Sequence, residues 1–311
     1  MSSAPSMKCR KCEARAVIRM RQHRLALCKT HYIEWFIDQT LHAIKKYQMF
    51  GRDERILVAV SGGKDSLALW DVLWQSGYQA DGLYIDLGIA GEIDYSNESR
   101  RFARQFAETR NLTLHVVNIA ETYGQSIPQL AQRSRRGQTK PCAVCGLSKR
   151  HVMNRVAREL DYAVLATAHN LDDEVAVLMG NVMNWQTEQL TRQSPVLPAA
   201  AGFARKVKPF CRFYERETAA YSLLREIEYI EDECPFAEGS KQLSYKALIN
   251  RMEEEQPGVK LAFYVGFLNA KQAGAFSNLP AATSSERLFT CPACGQPTSS
   301  DGLCAFCRTI G

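Results

Sequence analysis

The central part of the chain alternates aliphatic and β-branched runs with amphipathic segments, and this alternation restricts the possible folds more than any other feature. The predicted strands are 55–60, 82–87, 112–119 and 162–169. The predicted helices are 66–76, 97–110, 145–161 and 172–185. Because strands that alternate with helices form right-handed crossovers, the pattern predicts an α/β fold with a doubly wound parallel sheet. Ligands of such sheets bind at the carboxyl ends of the strands.

Less regular segments flank this region. A helix is predicted at 32–50, before the first strand. After the last predicted helix, a loop is expected at 193–202, a short extended piece at 206–210 and a helix at 215–230. Residues 277–287 have the composition of a linker.

Composition excludes several classes of protein. A chain of 311 residues is longer than a usual single domain, so one large core with smaller modules is expected. Hydrophobic residues make up 46% and charged residues 23%, as in soluble globular proteins. No apolar run approaches the roughly 20 residues that span a bilayer. The first residues lack the apolar core of a secretory signal. We therefore expect a cytoplasmic protein without a membrane segment.

Basic residues form two local clusters in a chain whose net charge is only +6. The first runs from Lys8 to Lys29 and contains a single acid, Glu13. The second comprises Arg133, Arg135, Arg136 and Lys140. Local clusters in a nearly balanced chain favour a polyanionic partner that is bound by defined patches. A solvated basic face is the alternative for either cluster taken alone.

Ten of the eleven cysteines fall into three compact groups, which is not the spacing of a secreted disulfide framework. In a reducing compartment such grouping indicates metal ligation. The groups are Cys9, Cys12 and Cys28; Cys142, Cys145 and Cys234; and Cys291, Cys294, Cys304 and Cys307. Cys211 is left over and is expected to be a buried small apolar residue.

The two terminal groups have the spacing of tetrahedral zinc sites. The N-terminal site adds a histidine to its three cysteines, and the C-terminal site is a four-cysteine ribbon. The predicted ligands are Cys9, Cys12, Cys28 and His31 for one zinc ion, and Cys291, Cys294, Cys304 and Cys307 for the other. Such short segments bury little apolar surface, so the metal is expected to supply much of their folding energy. The N-terminal module is basic enough to bind phosphate, whereas the C-terminal one could close the fold or a dimer interface.

A phosphate-binding turn is predicted directly after the first strand. Its sequence SGGKDS comprises Ser61, Gly62, Gly63, Lys64, Asp65 and Ser66. Two glycines let the backbone approach an anion closely, and the start of the next helix directs free amides to the same place. The serines add hydroxyl donors and the lysine adds a positive charge. A chance Gly-Gly turn is the alternative interpretation.

A CxxC motif, Cys142 and Cys145, lies beside the start of the third predicted helix. The helix dipole is expected to lower the pKa values of both thiols. Lys149 lies four residues after Cys145 and therefore on the same helix face. By itself the motif is compatible with a redox pair, half of a zinc site or no function.

Together these motifs resemble a known family. SGGKDS resembles the PP-loop of the ATP pyrophosphatases, which cleave ATP between its α- and β-phosphates. With PCxxCGxxKR, ATAHNLDDE and the cysteine of DECP, the chain resembles the tRNA 2-thiolation family, which contains the TtuA and Ncs6 type 2-thiouridine synthetases and the related 2-thiocytidine enzymes. The resemblance implies ATP and Mg²⁺ as cofactors. It also implies that AMP is attached to a nucleobase carbonyl, whose oxygen is then replaced by sulfur.

The resemblance also implies the roles of individual residues. Cys142, Cys145 and Cys234 match three cysteines that hold a 4Fe-4S cluster with one open iron. Lys149 matches a catalytic lysine, and Asp173 a catalytic or metal-binding aspartate.

The nucleotide site is assigned in the same way. Asp65 is expected to position ATP or magnesium, and Ala59, Asp86 and His169 to bind the nucleotide from neighbouring strands. We expect His169 to orient its loop rather than to perform chemistry. The segment KPFCRFYERE at 208–217 is interpreted as architecture that leads into the helix delivering Cys234.

Domains and partners follow from the same resemblance. We expect an N-terminal zinc finger at 1–32, a PP-loop domain at 33–280 and a C-terminal zinc ribbon at 281–311. Two terminal zinc modules favour the TtuA type and hence uridine. The expected partners are tRNA, a ubiquitin-like sulfur carrier with a C-terminal thiocarboxylate, and a second copy in a homodimer.

Several alternatives remain open at this point. The target uridine could be at tRNA position 54 or 34. A 2-thiocytidine enzyme or another PP-loop tRNA-modifying enzyme, such as a lysidine synthase, is the nearest alternative function. A non-catalytic zinc RNA-binding protein is an alternative of a different class.

Overall fold

The computed structural model describes residues 7–91, 93–133, 135–200, 202–237, 241–277 and 288–311. It opens with a small antiparallel hairpin of β1 (Ile18–Met20) and β2 (Leu25–Leu27). Helix α1 (Lys29–Lys46) follows directly and begins three residues before the predicted helix at 32–50. Tyr32 and Phe36 bury the inner face of α1 in the main core.

A six-stranded sheet forms the centre of the molecule. Its strands are β3 (Ile56–Val60), β4 (Ala80–Asp86), β5 (Leu114–Asn118), β6 (Val164–Ala166), β7 (Val196–Leu197) and β8 (Arg205–Val207). The order is β5-β4-β3-β6-β8-β7, and all neighbours are parallel except the pair β7 and β8. The predicted doubly wound parallel sheet is confirmed. The antiparallel edge strand β7 lies inside the segment that was expected to be a loop.

Helices cover both faces of the sheet. The central helices are α2 (Lys64–Gln75), α3 (Tyr95–Thr109), α4 (Ile119–Tyr123), α5 (Ile127–Arg133), α6 (Arg135–Thr139), α7 (Pro141–Glu159), α8 (Leu171–Met183) and α9 (Thr187–Arg192). Because side chains alternate along a strand, Ile56 and Val58 enter one core while Leu57 enters a second one on the opposite face. The sheet therefore holds the ends of its strands rigidly between two packed layers.

The chain after β8 differs from the prediction. Helix α10 (Glu215–Leu224) ends six residues earlier than expected. It stops because Glu226 adopts a left-handed backbone conformation with φ 55° and the Ile227 N–H turns back to the carbonyl oxygen of Ser222. Cys234 is therefore carried by an irregular segment and not by a helix.

Two further helices, α11 (Lys241–Glu255) and α12 (Val259–Gln272), pack against α8. The C-terminal module consists of β9 (Phe289–Thr290), β10 (Pro297–Thr298) and α13 (Ala305–Ile310). Except for Ser277, the predicted linker at 277–287 lies outside the described residues, as does the boundary at 280. Within the described ranges, no helix is both long enough and apolar enough to cross a bilayer.

Candidate nucleotide and thiolate site

The predicted phosphate-binding turn connects β3 to α2. The Ser61 N–H donates to Ser66 Oγ at 3.1 Å, and the Ser66 hydroxyl donates to the Gly63 carbonyl oxygen at 2.9 Å. No side chain caps the start of α2, so its first amides remain available to an anion. Gly62 has φ 77°, and a Cβ there would lie 2.2 Å from the carbonyl oxygen of Ser99. Only glycine fits at this position, because both the backbone angle and the space exclude a side chain.

A cavity of about 270 Å³ opens beside this turn at the carboxyl ends of β3, β4 and β6. It brings together seven of the residues predicted from the sequence. These are Ala59, Ser61, Asp65, Ser66, Lys149, His169 and Asp173. Apolar side chains, including Leu83 and Met153, complete the wall. Such a cleft, apolar with a few convergent polar groups, is typical of a small-molecule site.

Charged groups from α10 hold the loop side chains. Lys64 Nζ lies 2.8 Å from Glu215 Oε1 and 3.2 Å from Asp65 Oδ2. Thr218 donates a hydrogen bond to the other carboxylate oxygen of Asp65. Burial raises the pKa of Asp65, and the neighbouring Lys64 opposes this rise. Helix α10 thus holds the side chains of the phosphate-binding turn in position.

Asp173 lies in the first turn of α8 on the opposite side of the cavity. It forms a capping box with Asn170, whose N–H donates to Asp173 Oδ2 at 3.2 Å. The other oxygen, Oδ1, is 2.6 Å from Lys246 Nζ. Burial opposes the charge on Lys246, but Asp173 and Glu215 raise its pKa above the ordinary value.

The three central cysteines meet beside this cavity. Cys142 and Cys145 lie in the first turns of α7, and Cys234 packs against the same apolar cluster as Cys145. Cys142 is exposed, and its thiol donates to the carbonyl oxygen of Phe236 at 2.9 Å. Their sulfurs are spaced more widely than those of the two terminal groups.

The expected lowering of the thiol pKa values is wrong. Burial raises the pKa of Cys145, and the neighbouring thiols of Cys234 and Cys142 add to the rise. The pKa of Cys142 is raised for the same reasons. Lys149 opposes both shifts, but desolvation outweighs its charge.

Two residues connect the cysteines to the cavity. Lys149 lines the cavity and lies close enough to Cys145 for its charge to oppose the rise in the pKa of that thiol. Tyr95 also lines the cavity; burial raises its pKa to about 12, and Cys234 and Cys145 add to this shift. The nucleotide cavity and the cysteine trio are therefore adjacent compartments of one site.

Two predicted nucleotide ligands are occupied by structural contacts. Asp86 is buried; its carboxylate accepts from the Gly88 N–H and pairs with Arg100, each at 3.0 Å. It does not line the cavity, and its assignment to the nucleotide stays a prediction. His169 lines the cavity while its Nδ1 lies 2.9 Å from Thr167 Oγ, and burial lowers its pKa. This contact agrees with an orienting function.

Sequence reasoning missed Glu215, Thr218 and Lys246. The first two belong to or follow the KPFCRFYERE segment, which was interpreted as architecture only. Their acidic and hydroxyl side chains at the start of a helix were the available signal. Lys246 gave no signal, because it is one lysine among many until α11 packs on α8.

Each terminal quartet forms a compact group whose ligand atoms all lie within 4.8 Å of one another. The Cys12 and Cys28 sulfurs are 3.9 Å apart, as are those of Cys294 and Cys304. Four sulfurs at about 2.3 Å from a tetrahedral zinc ion are separated by about 3.8 Å. Both quartets therefore have the donor set and spacing to hold a metal ion.

A groove of about 820 Å³ lies on the N-terminal module and is strongly basic. It is lined by Lys8, Arg10, Arg19, Arg21 and Arg24, together with apolar residues. Lys8 pairs with Glu13, whereas no acidic partner within the described residues lies at ion-pair distance from the four arginines. In the second basic cluster, the side chains of Arg135 and Arg136 lie outside the described part of the chain.

Two family models match the chain. Residues 8–33 match the N-terminal LIM domain of the 2-thiouridine synthetase TtuA. Residues 39–238 match the PP-loop domain. The fold and the turn at Gly62 thus define a PP-loop protein, as the SGGKDS motif predicts.

Sequence similarity to known proteins extends over almost the whole chain. The tRNA-5-methyluridine(54) 2-sulfurtransferase of Thermus thermophilus is 49% identical over 302 residues, which are 97% of this chain and 90% of the relative. The enzyme of the same name from Thermotoga maritima is 40% identical over 304 residues, covering 97% of this chain and 95% of its own. The chain belongs to the TtuA-type family of tRNA 2-sulfurtransferases. The resemblance found in the sequence, and the enzyme class that it implies, are confirmed.

A solved structure shares the fold. The U34-tRNA thiolase NcsA from Methanococcus maripaludis, with its 4Fe-4S cluster, superimposes with a TM-score of 0.77 at 21% sequence identity. The match covers 98% of this chain and 96% of that chain. The similarity therefore includes both terminal modules as well as the central sheet.

Proposed function

We propose that this protein replaces the C2 oxygen of 5-methyluridine 54 in tRNA with sulfur, after activating that carbonyl with ATP. The names of the relatives from Thermus thermophilus and Thermotoga maritima support position 54. The observation that supports this reaction is the position of Lys149. Its side chain lines the PP-loop cavity, and its charge opposes the rise in the pKa of Cys145. A carbonyl activated in the cavity is thus next to the thiols.

The adenylation step uses the turn and its neighbours. The amides at the start of α2, with Ser61, Ser66 and Lys64, bind the departing pyrophosphate, and Asp65 and Asp173 provide oxygens for Mg²⁺. The C2 oxygen attacks the α-phosphorus, the bond to the β-phosphate oxygen breaks, and pyrophosphate leaves. A sulfur nucleophile then adds to C2, and AMP leaves with the original oxygen. The protein contributes position and electrostatic stabilisation.

Cys142, Cys145 and Cys234 are the residues that would hold a 4Fe-4S cluster. The donor set fits, since three thiols from two segments converge and no fourth cysteine is needed if one iron stays open. When bound, such a cluster supplies an open metal position for sulfide. Exposure of Cys142 leaves this place accessible to a sulfur donor.

The terminal modules bind Zn²⁺ in this proposal. The basic groove beside the N-terminal quartet binds tRNA phosphates, because its arginines concentrate positive charge on one face. The sulfur donor is a ubiquitin-like carrier that ends in a thiocarboxylate, the protein acts as a homodimer, and the reaction takes place in the cytoplasm. These three assignments rest on the resemblance of the sequence to its family.

The direct experiment is thiolation in vitro without oxygen. Protein purified anaerobically is incubated with ATP, Mg²⁺, sulfide and tRNA containing 5-methyluridine 54, and the tRNA is analysed by mass spectrometry. We expect 2-thio-5-methyluridine at position 54 and release of pyrophosphate. Sulfur found at position 34 instead, or no sulfur and no pyrophosphate, would refute the proposal.

The cysteine trio is tested by Cys142→Ala, with Cys211→Ala as the matched control. Cys211 is fully buried in the core, away from the trio. We expect Cys142→Ala to lose thiolation and iron but to keep pyrophosphate release, while Cys211→Ala keeps all three. Thiolation by anaerobic Cys142→Ala protein would eliminate the cluster assignment.

A further inference from the structure

Five charged side chains form a continuous chain of ion pairs from the PP-loop to α8, and two of them, Asp65 and Asp173, line the cavity. Lys64 Nζ is 3.2 Å from Asp65 Oδ2 and 2.8 Å from Glu215 Oε1. Lys246 Nζ is 3.2 Å from Glu215 Oε2 and 2.6 Å from Asp173 Oδ1. Negative and positive groups alternate from the PP-loop to the first turn of α8.

Glu215 is the centre of this chain, because each of its oxygens binds a different lysine. Its backbone N–H also donates to Asp172 Oδ2 at 2.9 Å, so its position relative to α8 is doubly determined. If Lys246 were removed, Lys64 would be the remaining cation paired with Glu215 among the described residues. The Glu215 carboxylate could then attract Lys64 away from the loop.

Asp173 depends on Lys246 even more directly. One carboxylate oxygen is held by the capping box at Asn170, and the other by Lys246. Within the described ranges, no other cation is at ion-pair distance from Asp173. Lys246 therefore helps to determine how the Asp173 carboxylate is oriented toward the cavity.

These pairs are partly sheltered from water. The exposed fractions of the Lys64, Lys246 and Asp173 side chains are 24%, 21% and 28%, and that of the central Glu215 is 39%. Charge pairs in such partly buried places are screened less by solvent than pairs on the open surface. Lys246 comes from α11, which lies beyond the residues 39–238 that match the PP-loop model.

We propose that Lys246 is a positioning residue for the adenylation step, acting through Asp173, which lines the nucleotide cavity, and through Glu215, which pairs with Lys64 of the loop. It orients the Asp173 carboxylate and balances Glu215 so that Lys64 stays at the loop. This inference rests on the proposed function, because adenylation is the step that it serves.

The test compares Lys246→Met with Lys241→Met. Lys241 is an exposed lysine on the same helix and serves as the matched control. Pyrophosphate release is measured with ATP, Mg²⁺ and tRNA under anaerobic conditions, and kcat is separated from KM for ATP. We expect Lys246→Met to lower kcat at least about tenfold while KM changes less than about threefold, since the loop amides and hydroxyls remain. Lys241→Met stays within about twofold of the wild type, and Lys246→Arg recovers much of the kcat.

A merely structural role predicts a different result. It would lower the thermal midpoint of Lys246→Met without a selective loss of kcat in the folded protein, and that outcome overturns the proposal, as does a wild-type kcat. Should Lys246→Met fail to fold, Lys246→Gln replaces it under the same expectations. Combining either variant with Glu215→Gln should give less than the product of the two single losses, because both act through one chain.

Failure of the proposed function and failure of the role of Lys246 give different results. A wild-type protein that releases no pyrophosphate with tRNA refutes the proposed function. If the wild type releases pyrophosphate and Lys246→Met does so at the same rate, only the role of Lys246 is refuted.

Discussion

The backbone N–H of Ile230 donates a hydrogen bond to the carbonyl oxygen of Gly62 at 3.0 Å. This bond joins the irregular segment that leads to Cys234 directly to the PP-loop turn. Further along the same segment, Pro235 lies so near Gly91 that a Cβ on this glycine would be 3.0 Å from its Cγ. The segment that carries Cys234 is thus held by a backbone hydrogen bond to the nucleotide loop and by the packing of the Pro235 ring near Gly91, although no helix carries this cysteine.

Gly62→Ala should abolish nucleotide activation. The added methyl group would overlap the Ser99 carbonyl oxygen, and the left-handed φ of 77° adds strain, so the loop must move. A displacement of about 1 Å in a positioning element costs about 10²-fold in rate. Pyrophosphate release with tRNA is the measurement.

Gly266→Ala is the control for this substitution. Gly266 lies within α12, and a Cβ there meets no atom within 4 Å. Alanine should be neutral or slightly stabilising because it favours a helix more than glycine does. Equal activity of the two variants would contradict the steric argument.

The basic groove should determine the salt dependence of tRNA binding. Replacing Arg19, Arg21 and Arg24 by glutamine removes three cations from the groove. For each tRNA phosphate that is no longer neutralised, the slope of log K against log salt is expected to decrease by about 1. Binding of labelled tRNA is measured by anisotropy at several salt concentrations. Arg251→Gln, on the exposed side of α11, should leave the slope unchanged; an unchanged slope in the triple variant would remove the groove from the binding surface.

The N-terminal quartet should accept a fourth thiol. His31 Nδ1 lies 3.5 Å from Cys9 Sγ and 3.4 Å from Cys28 Sγ, so a cysteine at this position can complete a four-sulfur site. His31→Cys should retain about two zinc ions per chain, whereas His31→Ala should retain about one. Metal analysis after dialysis distinguishes the two. Full zinc in His31→Ala would contradict the prediction and mean that the three cysteines suffice to retain the metal.

The contact between α7 and the C-terminal module should weaken in acid. His151 stacks on Phe306 with ring centroids 3.9 Å apart, and burial lowers the pKa of His151 to about 4 from 6.5. Because the folded protein resists protonation, the unfolded chain binds this proton first as the pH falls. The stability associated with neutral His151 should therefore be present above about pH 6.5 and be lost between about 6.5 and 4.

Proton NMR titration of the imidazole checks this pKa, and His151→Gln assigns the resonance. Relative to His151→Gln, the thermal midpoint of the wild type should fall across the same pH range. A midpoint of titration near 6.5 would contradict the effect of burial.

Periodicity and motif spacing predicted the core of this molecule correctly. The strands around 55–60 and 82–87 pair with each other inside the sheet. Their near-continuous apolar runs are typical of parallel strands that are buried on both faces. The turn at Gly62 was predictable from two consecutive glycines between a strand and a helix, and its φ and its contact with Ser99 show why glycine is required. Local rules were least reliable at 215–230, where the pattern continues but a left-handed Glu226 ends the helix.

The sequence by itself determined the parallel sheet, the phosphate loop and the two metal quartets, since each depends on residues that are near in sequence or periodic along it. Only the tertiary structure decided which charges pair beside the cavity, that burial raises the pKa of the Cys145 thiol, and that Lys246 reaches Asp173. These contacts join helices whose separation along the chain is large. Ion pairing and desolvation depend on distance and on exclusion of water, and neither quantity exists before the helices pack.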